Sequence, residues 1–504
     1  MSSGVENLTL TPVQQFYNNS KIFITGGTGF FGKILLEKLL RSCPNVSTIY
    51  ILIRQKKGKD TKTRAREILD DVPFQRLKAE RKNFGDNVVG IEGDCNLPNL
   101  GMSLQDIEIL KKEVNIIFHM AATLNFTEKL KTATFTNIRA TRDIITLAHE
   151  MPNLKVLMHV STAYSNCIHK VIEEKIYPPA FDGKTLITMT EKLPDEIFDK
   201  ISEMLVGDYP NTYTFTKQIA EGIVEEEGFD LPVGIHRPGI AVSTYREPIK
   251  SWINNTYAAT GMVTYAGLGM IRMAHGSTTS NSNVVPVDMC MNSLIAAAWD
   301  VGTTYQTNMA QKKEREIPVY HFESNSDKPI KWGSFFEKSL RYGSEAPSSK
   351  SVWFHSFHIY SNLYLYNILA FMVHTLPAFL SDLVCLSIGK PPTMMKMYMK
   401  LHKFADVLSY FGNREWTYKS NNVRKLLDKM SDKDREIFFA DLRQVDWNEF
   451  LKTYFYGIRL YVLNDPKETI PEAKIKWRRL YWAHKVTTLA ISLPLLWTLW
   501  YLFK

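Results

Sequence analysis

Tyr213 and Lys217 stand four residues apart in YTFTK, which runs on through Ala220, Ile223 and Val224 at helical spacing. Positions i and i+4 share one helix face, so the phenol and the ammonium point the same way. A free phenol, with a pKa of about 10, is a poor acid catalyst unless its anion is stabilised, and a neighbouring ammonium does that. Ser161 and Thr162 follow the apolar run Lys155 to Val160 and add hydroxyls. Such a set can polarise a carbonyl through Ser161 or Thr162 and protonate its oxygen from Tyr213 while a nucleophile reaches the carbon. The pattern Y-x-x-x-K also arises by chance on protein surfaces, so its meaning rests on the elements around it. Cys167 is an alternative nucleophile, but no histidine or helix start activates it, and a buried structural thiol is the simpler reading.

Residues 21–32, KIFITGGTGFFG, supply the context. Ile22, Phe23 and Ile24 form a short β-rich run that stops at Gly26-Gly27. Ile34, Leu35, Leu36, Leu39 and Leu40 then recur at helical spacing. Gly26, Gly29 and Gly32 therefore occupy a strand-to-helix turn, flanked by Thr25 and within it Phe30. Such a turn lets the backbone close on a pyrophosphate, which rests on free N–H groups at the positive helix end. The second strand, IYILIR (49–54), ends in Arg54 and is followed by Lys56, Lys57 and Lys59. An acidic residue there would suit a ribose 2′-hydroxyl, whereas cations accommodate a 2′-phosphate; Arg54 and Lys56 thus point to NADPH.

A third strand over 88–94 ends on Asp94, placed to meet an adenine edge. A fourth, Asn115 to His119, leads into Ala121, Ala122 and Thr123, small residues where a backbone must approach the cofactor. The fifth runs into Ser161, and a further strand over 231–240 carries Arg237 and Pro238 toward the same site. Strands alternating with helices predict an α/β fold, a Rossmann-like doubly wound parallel sheet with ligands at the carboxyl ends of its strands.

The chain has 504 residues, 45% of them hydrophobic, which is enough for two folded units. Its formal charge of +9 is spread along the chain. That disfavours a nucleic-acid arm and suits phosphate-bearing cofactors, acidic thioesters or an anionic membrane. Five scattered cysteines without a C-x-x-C pair predict a reducing compartment and no structural metal. Residues 1–20 read as a leader without the apolar stretch of a secretory signal. The stretch from 165 to 210 is too long for an idle loop and is assigned to the substrate region.

TGGTGFFG, LIR-x-K-x-G, GD at 93–94, AAT, STAY and YTFTK occur in this order. They resemble the extended short-chain dehydrogenase/reductases. REPIKSWINN (246–255), Gly267 to Arg272, VVPVDMCMN (284–292) and the aromatic C-terminal region narrow the resemblance to animal and insect fatty acyl-CoA reductases. It extends from about Lys21 to Asp465. The resemblance implies reduction of a long-chain acyl-CoA to a primary alcohol with two NADPH, through a thiohemiacetal and an aldehyde, with release of CoA. On the matching positions it makes Gly26, Gly29 and Gly32 cofactor-binding, Tyr213 and Lys217 catalytic, and Thr162 the hydroxyl partner with Ser161 beside it. Phe31 replaces a frequent Leu, and Ser251 replaces the Gly that usually precedes the Trp; both concern packing or substrate shape. Two rival readings are a membrane-bound hydroxysteroid dehydrogenase of the same fold and a non-catalytic NADP(H)-binding scaffold. The first needs no added helical domain; the second usually loses the Tyr–Lys pair.

The expected domains are a reductase domain over 21–345, a helical domain over 352–465 and a transmembrane tail over 486–503. The tail is a run of 18 uncharged residues, which as a helix spans ~27 Å, about one hydrocarbon core. Lys474, Lys476, Arg478, Arg479 and Lys485 precede it and only Lys504 follows, so the catalytic part faces the cytosol. The expected location is therefore a membrane entered by one C-terminal pass, the endoplasmic reticulum ahead of the peroxisome. Tyrosines, Asn362, Asn367, His374 and Pro377 make 359–380 an interfacial segment or acyl-pocket wall rather than a second span. The expected partners are long-chain acyl-CoA and the lipid bilayer.

Overall fold

The computed structural model describes residues 10–55, 58–312, 315–502 and 504. They form two compact units, and the chain passes between them several times. The first unit comprises the residues up to Ile249, then Asn283–Lys328 and Trp416–Val445. The second comprises Lys250–Ser282, Pro329–Glu415 and Asp446–Lys504.

The first unit is built on seven parallel strands: β1 Lys21–Thr25, β2 Thr48–Ile53, β3 Val88–Glu92, β4 Ile116–His119, β5 Val156–Val160, β6 Val233–Pro238 and β7 Val319–Phe322. Their order is β7-β6-β5-β4-β1-β2-β3. β1 pairs Ile22 with Ile49 on one side and with Ile116 on the other. The central strands read as unbroken apolar runs because helices cover both faces, and β1, β4, β5 and β6 are buried almost throughout. Strand order reverses between β1 and β4, which opens a crevice at their carboxyl ends. Helix α1, Phe30–Ser42, leaves the glycine turn there. Helix α2, Thr212–Gly228, carries Tyr213 and Lys217, and α3, Val287–Gln311, lies against the sheet.

Three expectations about boundaries need correction. The reductase domain over 21–345 is not one body, because Lys250–Ser282 and the stretch from Pro329 to Glu345 fall in the second unit. Residues 10–20 are part of the fold rather than a leader. Pro12–Tyr17 is a short helix closed by reciprocal bonds of Thr11 and Gln14, and the wholly buried Tyr17 donates its hydroxyl to the Ile295 carbonyl at 2.8 Å. A helical domain over 352–465 is not a continuous body either. Trp416–Val445 belongs to the sheet unit, where Trp416 Nε1 donates to the Cys167 carbonyl at 2.8 Å and Ser420 Oγ to Glu323 at 2.6 Å. The buried aromatic and the carboxylate that needs a donor hold this segment there.

In the second unit, helix α4, Trp332–Gly343, packs on a later helix, Trp447–Gly457. Gly343 permits that approach, because a Cβ there would meet the Phe455 ring at 2.8 Å. An apolar stretch follows α4: α5 Leu363–Ala370, a wide π-helical turn at Phe371–Thr375, and α6 Leu376–Ser387. Helix α7, Met394–Gly412, returns beside it. Among the described residues, Leu363–Ser387 is a stretch long and apolar enough to cross a membrane. With Trp447–Gly457 as α8, the last helix is α9, Ile470–Leu502, continuous for 33 residues with Pro494 inside it. Of the tail expected to be a span, Phe503 lies outside the described residues.

Candidate active site

The glycine turn is tight. Gly29 N–H bonds the Gly26 carbonyl at 3.0 Å. Gly26 has φ +76°, and a Cβ on it would come within 2.9 Å of the Ala121 backbone nitrogen. A Cβ on Gly32 would fall 2.3 Å from the Gly26 carbonyl oxygen, so only glycine lets α1 seat on the turn. Gly29 caps α1 without a side-chain hydrogen bond, which leaves the helix end to a ligand. Thr25 serves the cradle rather than the ligand. Its Oγ1 accepts the N–H groups of Met120 and Ala121, each at 3.2 Å, and bonds His119 Nδ1 at 2.7 Å. Ala121, Ala122 and Thr123 are partly exposed at the end of β4, opposite the glycines, and Phe30 is half-buried in the first turn of α1.

At the end of β2, Arg54 is exposed; Lys56 lies outside the described residues. Asp94 is half-buried and spends Oδ1 on the Asn96 N–H at 2.9 Å. Asn137 was not expected at the site. It is fully buried within the π-helical turn Thr134–Arg139, its Oδ1 accepts the Thr123 N–H at 3.0 Å, and its Nδ2 donates to Thr216 Oγ1 at 2.9 Å. It thereby ties the loop after β4 to α2, the helix that carries Tyr213 and Lys217. An added residue in a helical turn leaves no mark in hydrophobic spacing, so the sequence offered no signal.

Asn211 caps α2 through the Thr214 N–H, which starts the helix one turn before Lys217 and presents Tyr213 at its head. Tyr213 is half-buried and its ring stacks on Phe126, centroids 5.4 Å apart. Burial pushes its phenol up to about 12, while the Thr162 hydroxyl facing it pulls the other way. Thr162 is thus the hydroxyl that meets the phenol. Ser161 Oγ is buried with no hydrogen-bond partner among the described residues, and the Ser161 N–H holds the end of β5 to the His236 carbonyl at 2.8 Å.

Lys217 is 2% exposed and donates to the Val160 carbonyl at 2.6 Å. Burial lowers its pKa to about 8, and the carboxylate of Glu221, one turn further along α2, resists the fall. His119 and His159, register partners on β4 and β5, are kept neutral by burial and then by the Lys217 charge. The Lys217 ammonium at the Val160 carbonyl and the phenol facing Thr162 therefore both stand at the carboxyl end of β5. The phenol lies above its ordinary range, so burial overrides the lowering expected from the lysine.

Arg237 does not join them. Its Nε and Nη2 donate to the two Glu221 oxygens at 2.9 and 2.6 Å, and its remaining donors go to the Glu173 and Lys175 carbonyls and to His321. Fully buried and fully bonded, it braces α2 against β6 and has no donor left for a nucleotide. Pro238 closes β6, its carbonyl taken by the Ala163 N–H at 2.9 Å. Cys167 is buried, as the simpler reading had it.

Family comparison matches the chain in two parts, both described as male sterility protein: an NAD-binding domain over residues 24–294 and a Sterile domain over 373–465. The fatty acyl-CoA reductase wat of Drosophila melanogaster is 41% identical over 495 residues, 98% of this chain and 94% of that protein. The chain belongs to the fatty acyl-CoA reductase family. Mouse fatty acyl-CoA reductase 1, 38% identical over 92% of this chain and 89% of its own length, is another such relative of this reductase. The fold is also that of the reductase (R) domain of a nonribosomal peptide synthetase from Mycobacterium tuberculosis, with TM-score 0.57 and 17% identity over 88% of this chain and 93% of that one. The matched NAD-binding domain contains the glycine turn and the Tyr–Lys helix, so the crevice is a nicotinamide-cofactor site.

Proposed function

We propose that this protein reduces a long-chain fatty acyl-CoA to the primary alcohol, consuming two NADPH and releasing CoA. What supports the reading is Tyr213 facing Thr162, with the buried Lys217 one turn along the same helix and held at the end of β5, in a chain of this family. Gly26, Gly29 and Gly32 with the first turn of α1 would hold the pyrophosphate, and Arg54 the 2′-phosphate. When bound, the nicotinamide supplies hydride. Thr162 holds the thioester oxygen, and Tyr213 gives it a proton as hydride reaches the carbon. The resulting thiohemiacetal expels CoA as the thiol and leaves an aldehyde. The same Tyr213, reprotonated, serves a second hydride addition that yields the alcohol. Lys217 favours the phenolate after each proton is given, and Asn137 keeps the Thr123 loop registered with α2.

The apolar run that begins at Val486 anchors the protein in a membrane, with the unit bearing Tyr213 in the cytosol. Support comes from the unbroken 33-residue helix and from Val486, Leu489, Leu493, Trp497 and Trp500 standing exposed along it. The upstream cations Lys474 to Lys485 keep their side of the bilayer. The compartment this reading predicts is the endoplasmic reticulum first and the peroxisome second. Detergent-solubilised protein given NADPH and acyl-CoAs of graded length should form fatty alcohol and free CoA thiol, while sterols leave NADPH unconsumed. Consumption with sterols, or none with any acyl-CoA, would overturn the proposal.

A further inference from the structure

Segment 363–388 has two unlike sides. Tyr366, Ala370, His374, Ala378 and Asp382 recur every four residues and are buried. Such a row creeps about 40° round an ideal helix at each step. The wide turn at Phe371–Thr375 holds more residues per turn and takes back part of the creep, so one face stays on the protein. That face is bonded as well as packed. His374 Nε2 accepts the Arg272 N–H at 3.0 Å and its Nδ1 meets His402 of α7 at 3.1 Å. Asp382 accepts the N–H groups of Thr393, Met394 and Met395, each at 2.9 Å, which closes the α6–α7 hairpin at the start of α7.

On the other side, twelve large apolar side chains between Leu363 and Ile388 face solvent, Tyr364 82%, Ile368 63% and Val384 60% exposed. A contiguous apolar patch of this extent marks a surface made for a partner. Cations border it. Lys390 sits in the hairpin turn, and Lys396, Lys400 and Lys403 are spaced to share a face of α7; all four are exposed and outside every ion pair found among the described residues. Between Asp382 and Glu415 the acidic residue is Asp406 alone. The fixed face also leads to the C-terminal helix. Arg272, bonded to His374, lies over the Trp353 ring at 5.4 Å, and Trp353 Nε1 donates to His484 of α9 at 3.2 Å, two residues before the apolar run begins.

We propose that α5 and α6 form a one-sided membrane-docking surface, inserted to headgroup depth in a bilayer rich in anionic lipid while Lys390 and the α7 lysines pair with its phosphates. A helix apolar on one side and polar-bonded on the other lies in the interface plane instead of crossing it, because a span would leave Asp382, His374 and their bonded neighbours in hydrocarbon. This surface would hold the substrate-bearing leaflet at a second point beside the proposed C-terminal anchor, on which the inference partly rests.

The test uses the full chain in vesicles of phosphatidylcholine with and without about a third phosphatidylserine. Bimane is attached in a Cys385→Ser background to Ile368→Cys, Val384→Cys or, as a reference in the other unit, Leu104→Cys. Shallow doxyl-lipid should quench positions 368 and 384 at least about threefold more than position 104, and more than deep doxyl-lipid does. Changing Lys396, Lys400 and Lys403 to Gln should reduce that quenching in the anionic vesicles only. Quenching no greater than at 104, stronger quenching by the deep label, or indifference to the lysine changes overturns the proposal. Flotation separates the two membrane claims. A chain that floats without quenching at 368 keeps its anchor and loses this surface. A chain that fails to float loses the anchor, and the surface then stands or falls on quenching when that soluble chain is added to the anionic vesicles.

Discussion

Replacing Lys217 with methionine should end catalysis without weakening the fold. The lysine is 2% exposed, and burial lowers its pKa from 10.5 to about 8 against the opposing pull of Glu221. A displacement of that size corresponds to about 3 kcal/mol held against folding while the ammonium is charged. The opposing loss is the bond to the Val160 carbonyl, about 1–2 kcal/mol when this donor disappears. The variant should therefore be more stable at pH 7 by about 1–2 kcal/mol, a rise of roughly 1–3 °C in melting midpoint for a unit of this size. The pH dependence has a definite sign, because the folded pKa lies below the unfolded one. Below pH of about 8 both states hold the proton and the full penalty is present. Between about 8 and 10.5 the unfolded chain keeps a proton that the folded chain has lost, so wild-type stability gains on the variant as pH rises. Thermal unfolding of both proteins in one detergent, at neutral and at high pH, measures this. A variant that melts below wild type at pH 7, or a gap that ignores pH, refutes the reasoning.

Arg237→Leu leaves the Glu221 carboxylate buried without its partner and should cost about 3–5 kcal/mol. The fraction that stays folded at low temperature should still bind NADPH with wild-type affinity by nucleotide fluorescence; a tenfold loss would return Arg237 to the nucleotide. Arg54→Glu should turn the kcat/KM ratio of NADPH to NADH toward NADH by at least about tenfold, read from initial rates with each nucleotide. An unchanged ratio would place the 2′-phosphate elsewhere.

The parts of the site carried by short contiguous stretches are legible in the amino-acid sequence itself. The glycine turn needs only local geometry, and Tyr213 and Lys217 need only one helix, so spacing reports both. The alternation of apolar runs likewise predicts the parallel sheet. What escapes depends on partners distant in sequence. Arg237 reads as a polar residue at a strand end facing a ligand. Its commitment follows from Glu221 on α2 and from backbone carbonyls at 173 and 175, none of which marks itself in the chain. Asn137 acts from a π turn that no periodicity announces. The return of Trp416–Val445 to the sheet unit rests on partners far away in sequence: Trp416 bonds Cys167, 249 residues apart, and Thr417–Tyr418 pair with Val171–Ile172. Tyr17 shows the same limit: an aromatic in an apparently idle leader is buried because Ile295 offers it a carbonyl.

The proton donor is the centre of this account, and Tyr213→Phe isolates it, since the ring that stacks on Phe126 is kept and only the hydroxyl is removed. In the full-length protein with NADPH and a long-chain acyl-CoA, alcohol formation should fall by about 10²–10⁴-fold while the fluorescence of bound NADPH is unchanged. Turnover within about tenfold of wild type would contradict it, because the carbonyl oxygen would then draw its proton from another group.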